Sequence, residues 1–267
     1  MKNFFCQDTN FKILLVFFNF LLYNRNMKKF YVDKDHFKND MVLIDGDEFH
    51  HLSKVLRTVV NEKIQIVCGD DYIYNCEVCS IEKHEATAKV LSKEFCHSNP
   101  KIVIDVFQGL PKGEKLEVLV QKLTELGANK IIPFESEHTI AKNNPIKMER
   151  LNKISKQACK QCGRSIPLEI NSTISLMSIK QYLENYDLVI FLYEKAVKID
   201  NITRLTSKIQ DSKKIAIIVG SEGGFSEKES DFLSKLQTEK IWLGNRILRT
   251  ETASIALVAH VSLLTNN

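Results

Sequence analysis

From Ile102 to the C-terminus, short apolar runs alternate with stretches of helical periodicity, and this alternation limits the fold more than any other feature. Ile102–Val106, Lys130–Phe134, Leu188–Leu192, Ile215–Val219 and Ile241–Leu243 read as strands. Between them, Lys115–Leu126 and Ser226–Leu236 space their apolar residues as helices do. Strands separated by helices predict an α/β domain with a largely parallel sheet, helices on both faces and ligands at the strands' C-terminal ends. The polar stretch His97–Lys101, with Pro100 inside it, is a plausible boundary on the N-terminal side.

Before that boundary the pattern changes. Lys63–Val67, a turn at Gly69-Asp70-Asp71, then Tyr72–Val78 and Ala86–Leu91 are spaced like the strands of a small β-barrel. Glu48–Arg57 reads as a short helix with Phe49, Leu52 and Leu56 on one side. The expected organisation is therefore an extension at 1–26, a β-barrel at 27–97 and an α/β domain at 98–267. In the extension, Phe11–Tyr23 is apolar apart from Lys12 and Asn19. It is shorter than the about 20 residues a membrane span needs and has no small-residue cleavage site. An upstream start or a loosely attached segment is expected there, and no membrane anchor.

A net charge of only +4 means that contact with a nucleic acid must come from a local patch. The seven cysteines are odd in number and show no framework spacing, which suits a reducing, cytoplasmic setting. Cys76 with Cys79 and Cys159 with Cys162 have a spacing used by zinc ligands. The first pair lies in a strand-like run and the second in a helical one, so small buried thiols are expected and no metal.

Near the C-terminus, two apolar strands each run into a glycine-bearing turn that a helix follows. The first is Ile218-Val219-Gly220-Ser221-Glu222-Gly223-Gly224-Phe225, and the second is Leu243-Gly244-Asn245-Arg246-Ile247-Leu248-Arg249-Thr250-Glu251-Thr252-Ala253. Such turns present backbone N–H and C=O groups to a ligand, because glycine accepts positive φ and lets another molecule approach closely. Ser226 and Glu229 have the spacing of a capping box at the helix that follows. The chain has no P-loop, dinucleotide fingerprint, metal-ligand cluster or nucleophile elbow. That pattern turns attention from redox and phosphoryl transfer to group transfer with an activated donor.

The paired turns resemble those of the SPOUT class of RNA methyltransferases, and within it the RsmE family. Further blocks are similar to that family: Leu110-Pro111-Lys112-Gly113-Glu114-Lys115, Gln121–Gly127, Ile132–Glu137, Ala158–Pro167 and His51–Arg57. The resemblance runs in order from Met27 to the end, and Met27-Lys28-Lys29-Phe30-Tyr31-Val32 looks like the start of such a protein. It implies a trefoil-knotted SPOUT domain preceded by a PUA-like RNA-binding barrel, a cytoplasmic homodimer and S-adenosyl-L-methionine as cofactor. The implied reaction is methylation of N3 of a uridine in 16S rRNA of the small ribosomal subunit. One departure stands out: Ser221 occupies a position where the family usually has proline.

The resemblance also implies roles. Turns after Leu192, Val219 and Leu243 would surround the cofactor, with backbone at Gly220, Leu243, Gly244, Ile247 and Leu248 reading adenine and ribose. Glu222, Gly223 and Thr252 belong to the same expected set. A uridine N3 proton must leave before or during attack, so Glu137 and Glu251 are candidate proton acceptors, with Arg249 and Arg164 as cations for the developing charge. For each, a structural salt bridge is the competing account. His260 falls in an apolar helical run, as a core residue would, and His138 is left open.

Along Lys147–Arg164, at about 100° per residue, Arg150, Lys153, Lys156, Lys160 and Arg164 share an arc of roughly 120°, with Leu151, Ile154, Ala158 and Cys162 on another side. With Arg57 they are the expected RNA contacts, the alternative being a solvated charged face. Two other functions stay open: a SPOUT enzyme acting on another RNA or base, and a non-catalytic RNA-binding assembly factor, for which Ser221 is the hint.

Overall fold

Alternating burial along the strands explains the architecture. In Lys214–Val219, Ile215, Ile217 and Val219 pack into one apolar cluster, whereas Ala216 and Ile218 pack into another. A strand buried on both faces is what a parallel sheet between two helical layers requires. The structure, a computed structural model, describes residues 27–140, 146–193 and 201–265, and the expectation for residues 1–26 lies outside them. The chain forms two compact units that divide between Phe95 and Cys96.

The first unit contains β1 (Lys29–Tyr31), β2 (Phe37–Lys38), β3 (Met41–Ile44), α1 (Gly46–His50), β4 (Lys63–Val67), β5 (Tyr72–Ile81) and β6 (Ala86–Phe95). They make one six-stranded sheet in the order β1-β4-β5-β6-β3-β2. β1 pairs parallel to β4 and the other pairings are antiparallel, so the sheet is mixed and curls as a half-barrel. Its core is Phe30, Val42, Ile44, Leu52, Ile64, Ile66, Val78 and their neighbours. The helix expected at Glu48–Arg57 starts earlier, at Gly46, passes into a π-helical turn at His51–Val55 and ends there. Arg57 then takes a left-handed backbone, φ +47°, on an exposed turn.

The second unit contains β7 (Val103–Gly109), α2 (Lys115–Glu125), β8 (Lys130–Glu135), α3 (Met148–Cys162), β9 (Glu169–Ile170), β10 (Ile174–Ser175), α4 (Lys180–Leu183) and β11 (Leu188–Leu192). It continues with α5 (Asn201–Asp211), β12 (Lys214–Val219), α6 (Glu227–Lys235), β13 (Glu239–Ile241) and α7 (Thr250–Thr265). The main path of the sheet runs β10-β8-β7-β12-β11-β13, all parallel, with β9 also paired to β8. β13 is the edge strand, and it ends two residues before the expected Leu243. From that edge the chain returns, and α7 packs against α2, α5, β7 and β12 in the middle of the unit. Leu257, Val258 and Val261 join the core there. Among the described residues no helix is long and apolar enough to cross a membrane.

Candidate active site

Two strand ends meet at the centre of the second unit. Gly109 closes β7, and a Cβ placed on it would lie 2.3 Å from Ser221 N and 2.7 Å from the carbonyl carbon of Gly220. Only glycine fits that crossing. Gln108 beside it is fully buried: its amide donates to Gly109 O (3.0 Å), Gly220 O (3.5 Å) and Thr250 Oγ1 (2.8 Å). Thr250 donates in turn to Gly220 O, and Ser254 donates to Gln108 Oε1. A polar knot of side chains therefore holds the end of β12 and the first turn of α7 to β7. Buried amides and hydroxyls make such contacts because leaving one unsatisfied costs about 1–3 kcal/mol.

Beyond Gly220 the chain makes a closed turn in which Gly224 N donates to Ser221 O at 3.0 Å and Gly224 takes φ +66°. The expected capping box is present at the start of α6: Ser226 N donates to the Glu229 carboxylate at 2.9 Å, and Glu229 N to Ser226 Oγ at 3.4 Å. Glu222 points towards α2. Its Oε1 accepts from Lys112 N (3.1 Å) and Lys115 Nζ (2.7 Å). Lys115 also lies 3.6 Å from Glu251 Oε2. Burial pushes the Glu222 carboxyl up, but the Lys115 ammonium and backbone N–H groups outweigh it and hold the group below its usual range. The hydrogen bond to Glu222 raises the Lys115 pKa.

The two glycine turns enclose a cavity of about 420 Å³ at the C-terminal ends of β11, β12 and β13. Leu192, Gly220, Glu222, Leu243, Gly244, Ile247, Leu248 and Arg249 line it, as do Tyr193, Ser221 and Phe225. Gly244, at φ +110°, has the backbone that only glycine adopts readily, and a Cβ there would meet nothing within 4 Å. The walls are chiefly apolar, with charge at the Glu222 end and at Arg246 and Arg249. Ser221 is nearly buried, yet its hydroxyl has no hydrogen-bond partner among the described residues. This fits a flat heteroaromatic ligand read by main-chain groups, with a polar end reaching the serine.

Not every expected site residue is brought to this cavity. Gly223 faces away: its missing Cβ would touch His138 Cβ at 2.7 Å, and the positive φ in this turn is at Gly224. Thr252 is exposed on α7 outside the lining, and Glu251 reaches the cavity's charged end only through Lys115. Glu137 is exposed in a separate depression with Glu135, Thr173, Ser175 and Met177, its N–H bound to Glu229 Oε1 at 2.7 Å. Arg164 requires the largest correction. It is 2% exposed, and its Nη1 donates to Thr124 O (2.7 Å) and Ala128 O (2.9 Å), capping the carbonyls where α2 ends. α3 stops at Cys162 with Gly163 in a left-handed cap, which turns Arg164 inwards and off both the basic stripe and the cavity. Arg150 and Lys153 are exposed on α3 and Lys160 is half-buried, with Arg150 paired to Glu117 at 2.7 Å. Gln108, Lys115, Thr250 and Ser254 were missed. The Pro-Lys-Gly block contained Lys115, but nothing in sequence spacing links Gln108 to Thr250.

Comparison with known proteins shows the family. The RNA methyltransferase domain family matches residues 97–262, and the RNA methyltransferase PUA domain family matches 44–91. The ribosomal RNA small subunit methyltransferase E of Bacillus subtilis is 34% identical over 230 residues, covering 82% of this chain and 88% of that protein. The chain belongs to the ribosomal RNA small subunit methyltransferase E family. The relative of the same name in Rickettsia conorii is 30% identical and covers 91% of this chain and 96% of its own. The crystal structure of the Neisseria gonorrhoeae member bound to S-adenosyl methionine aligns at TM-score 0.79 with 27% identity, over 90% of this chain and 98% of that one. A Thermotoga maritima structure described as a predicted RNA methyltransferase aligns at TM-score 0.68 with 28% identity, over 88% of this chain and 97% of its own. The expected fold class, a SPOUT methyltransferase domain preceded by a PUA-like domain, is thus the one found.

Proposed function

We propose that this chain transfers a methyl group from S-adenosylmethionine to N3 of a uridine in 16S rRNA. It is an S-adenosylmethionine-dependent rRNA methyltransferase, as its family membership supports. The observation that carries the reading is the cavity between the two glycine turns, whose apolar walls and exposed backbone suit an adenine edge. Bound there, S-adenosylmethionine supplies a methyl group on a sulfonium, an already activated leaving group.

The chain's own residues then have three tasks. Leu192, Leu243, Ile247 and Leu248 flank the cofactor ring, while main chain at Gly220, Leu243 and Gly244 reads its edge. Glu222, kept ionised by Lys115, faces the cationic end. Arg249, exposed on the cavity rim, stabilises charge that develops on the uracil oxygens. Of the two carboxylates, Glu251 is the better proton acceptor within one chain, because Lys115 ties it to the cavity whereas Glu137 lies in the other depression. RNA reaches the site along Arg150, Lys153 and Lys160 of α3, and Arg57 adds a contact from the first unit. A second copy of the chain covers Ile247, 92% exposed, and Leu263, 74% exposed, making the homodimer.

The test is single-turnover transfer of labelled methyl to 16S RNA within small-subunit particles from cells lacking the enzyme, followed by nucleoside analysis. N3-methyluridine is the expected product. Label on another nucleoside would move the assignment to a different base, and no label despite tight cofactor binding would make the chain a binding factor.

A further inference from the structure

Ser221 lines the cavity, and its hydroxyl oxygen is buried and makes no hydrogen bond among the described residues. A buried hydroxyl without a partner costs about 1–3 kcal/mol. The close approach of Gly109 is to Ser221's backbone, not its side chain, so the hydroxyl takes no part in that crossing. Ser221 immediately precedes Glu222, whose carboxylate, bound by Lys115, gives the cavity its charged end, in contrast to the aliphatic side chains of Leu192, Ile247 and Leu248. Turning about a single bond, χ1, is enough to redirect the Ser221 hydroxyl.

We infer that the Ser221 hydroxyl donates a hydrogen bond to the α-carboxylate of the cofactor's aminoacyl part, making Ser221 an affinity-determining residue. This rests on the cavity being the S-adenosylmethionine site. The ligand's only carboxylate belongs to its aminoacyl arm, and that zwitterionic arm is the part of the molecule matched to the Glu222–Lys115 end. A donor to a carboxylate makes the stronger, charge-assisted kind of hydrogen bond. The hydroxyl is then unsatisfied only in the free protein, so removing it acts in opposite directions on stability and on binding.

The experiment is calorimetric titration of the full chain with S-adenosylhomocysteine and with 5′-methylthioadenosine, which keeps adenine, ribose and thioether but has no aminoacyl arm. Ser221→Ala should weaken S-adenosylhomocysteine about tenfold, leave methylthioadenosine unchanged, and keep or raise the melting temperature of the free protein. Ser221→Pro should show the same selective loss, and Ser221→Thr, which retains a hydroxyl, should recover most of the affinity. Equal loss for both ligands, unchanged binding of both, or a free protein that melts lower in step with its lost affinity would overturn the inference. If the wild-type chain bound neither ligand, the cofactor reading itself would fall and take this inference with it.

Discussion

The two turns that bound the cavity are built in opposite ways. The turn after β12 is anchored on every side: Gly220 O by Gln108 and Thr250, Glu222 by Lys112 and Lys115, and Phe225 by stacking against Phe134 and edge contact with Phe191. The turn after β13 leaves Leu243 at 37% and Ile247 at 92% exposure. Apolar side chains left in water at the edge of a cavity gain their burial from whatever binds there. The first turn is thus a preformed wall whose order comes from folding, and the second is a surface left open at the cavity edge. A site built this way places its recognition groups in advance on one side and gains contact area on the other.

The largest effect expected from this contrast is at glycine. Gly109→Ala drives a methyl group into backbone at Ser221 and Gly220, neither of which can move without breaking the Gln108 network. It should cost about 3 kcal/mol or more, visible as a large fall in the denaturation midpoint of the second unit. Gly244→Ala has free space and meets only the strain of φ +110°, about 1–3 kcal/mol, which an exposed loop can relax. Its melting temperature should move little while cofactor affinity falls. If Gly244→Ala unfolded the chain as readily as Gly109→Ala, the division into preformed and open walls would be wrong.

Next in size is Arg249→Ala. The guanidinium is on the rim and pairs with the transition state in the proposed mechanism, so single-turnover methyl transfer should drop ~10²-fold with cofactor affinity nearly unchanged. A fall in cofactor affinity of the same size as the rate loss would reassign Arg249 to binding. Ile247→Ala should be smaller again. At 92% exposure it contributes little to the fold, so stability should stay within about 0.5 kcal/mol. Weaker cofactor binding or a lower dimerisation constant, measured by sedimentation, is the expected change.

The preformed wall is also where sequence reading fell short. Leu188–Leu192 and Ile215–Val219 were legible as buried strands because unbroken β-branched and aliphatic runs have few other uses, and Ser226 with Glu229 announced its helix through local capping chemistry. Both loops were visible because glycine marks special backbone. What could not be read is whatever depends on residues far apart in the chain. Gln108 meets Thr250 across 142 positions, and Gly109 is needed only because Ser221 passes beside it. Arg164 misled for the same reason: helical periodicity placed it on the basic stripe, but the helix ends at Gly163 and the carbonyls of Thr124 and Ala128 claim the guanidinium. Periodicity describes an element only as far as its cap.

The smallest effect concerns the ion pair that fastens the preformed wall. Glu222 has a folded-state pKa below its unfolded one, so its contribution to stability is present above about pH 4.3 and is lost as pH falls through the folded value. Lys115 has a raised pKa, so its contribution is complete below about pH 10.4 and is lost as pH rises through its folded value. Between those limits the pair holds the Gly220–Gly224 turn. Both side chains are partly exposed, at 31% and 25%, so the pair belongs with those that contribute about 0–1 kcal/mol. Glu222→Gln should therefore melt up to about 4 °C below wild type at neutral pH, a gap that closes as the pH drops into the acid range. Hydrogen exchange gives the local version of the same measurement. At neutral pH, Glu222→Gln should speed exchange at Gly224 N, whose bond to Ser221 O closes the turn, and leave Gly244 unaffected. Equal acceleration in both loops would show that the two walls are one cooperative unit.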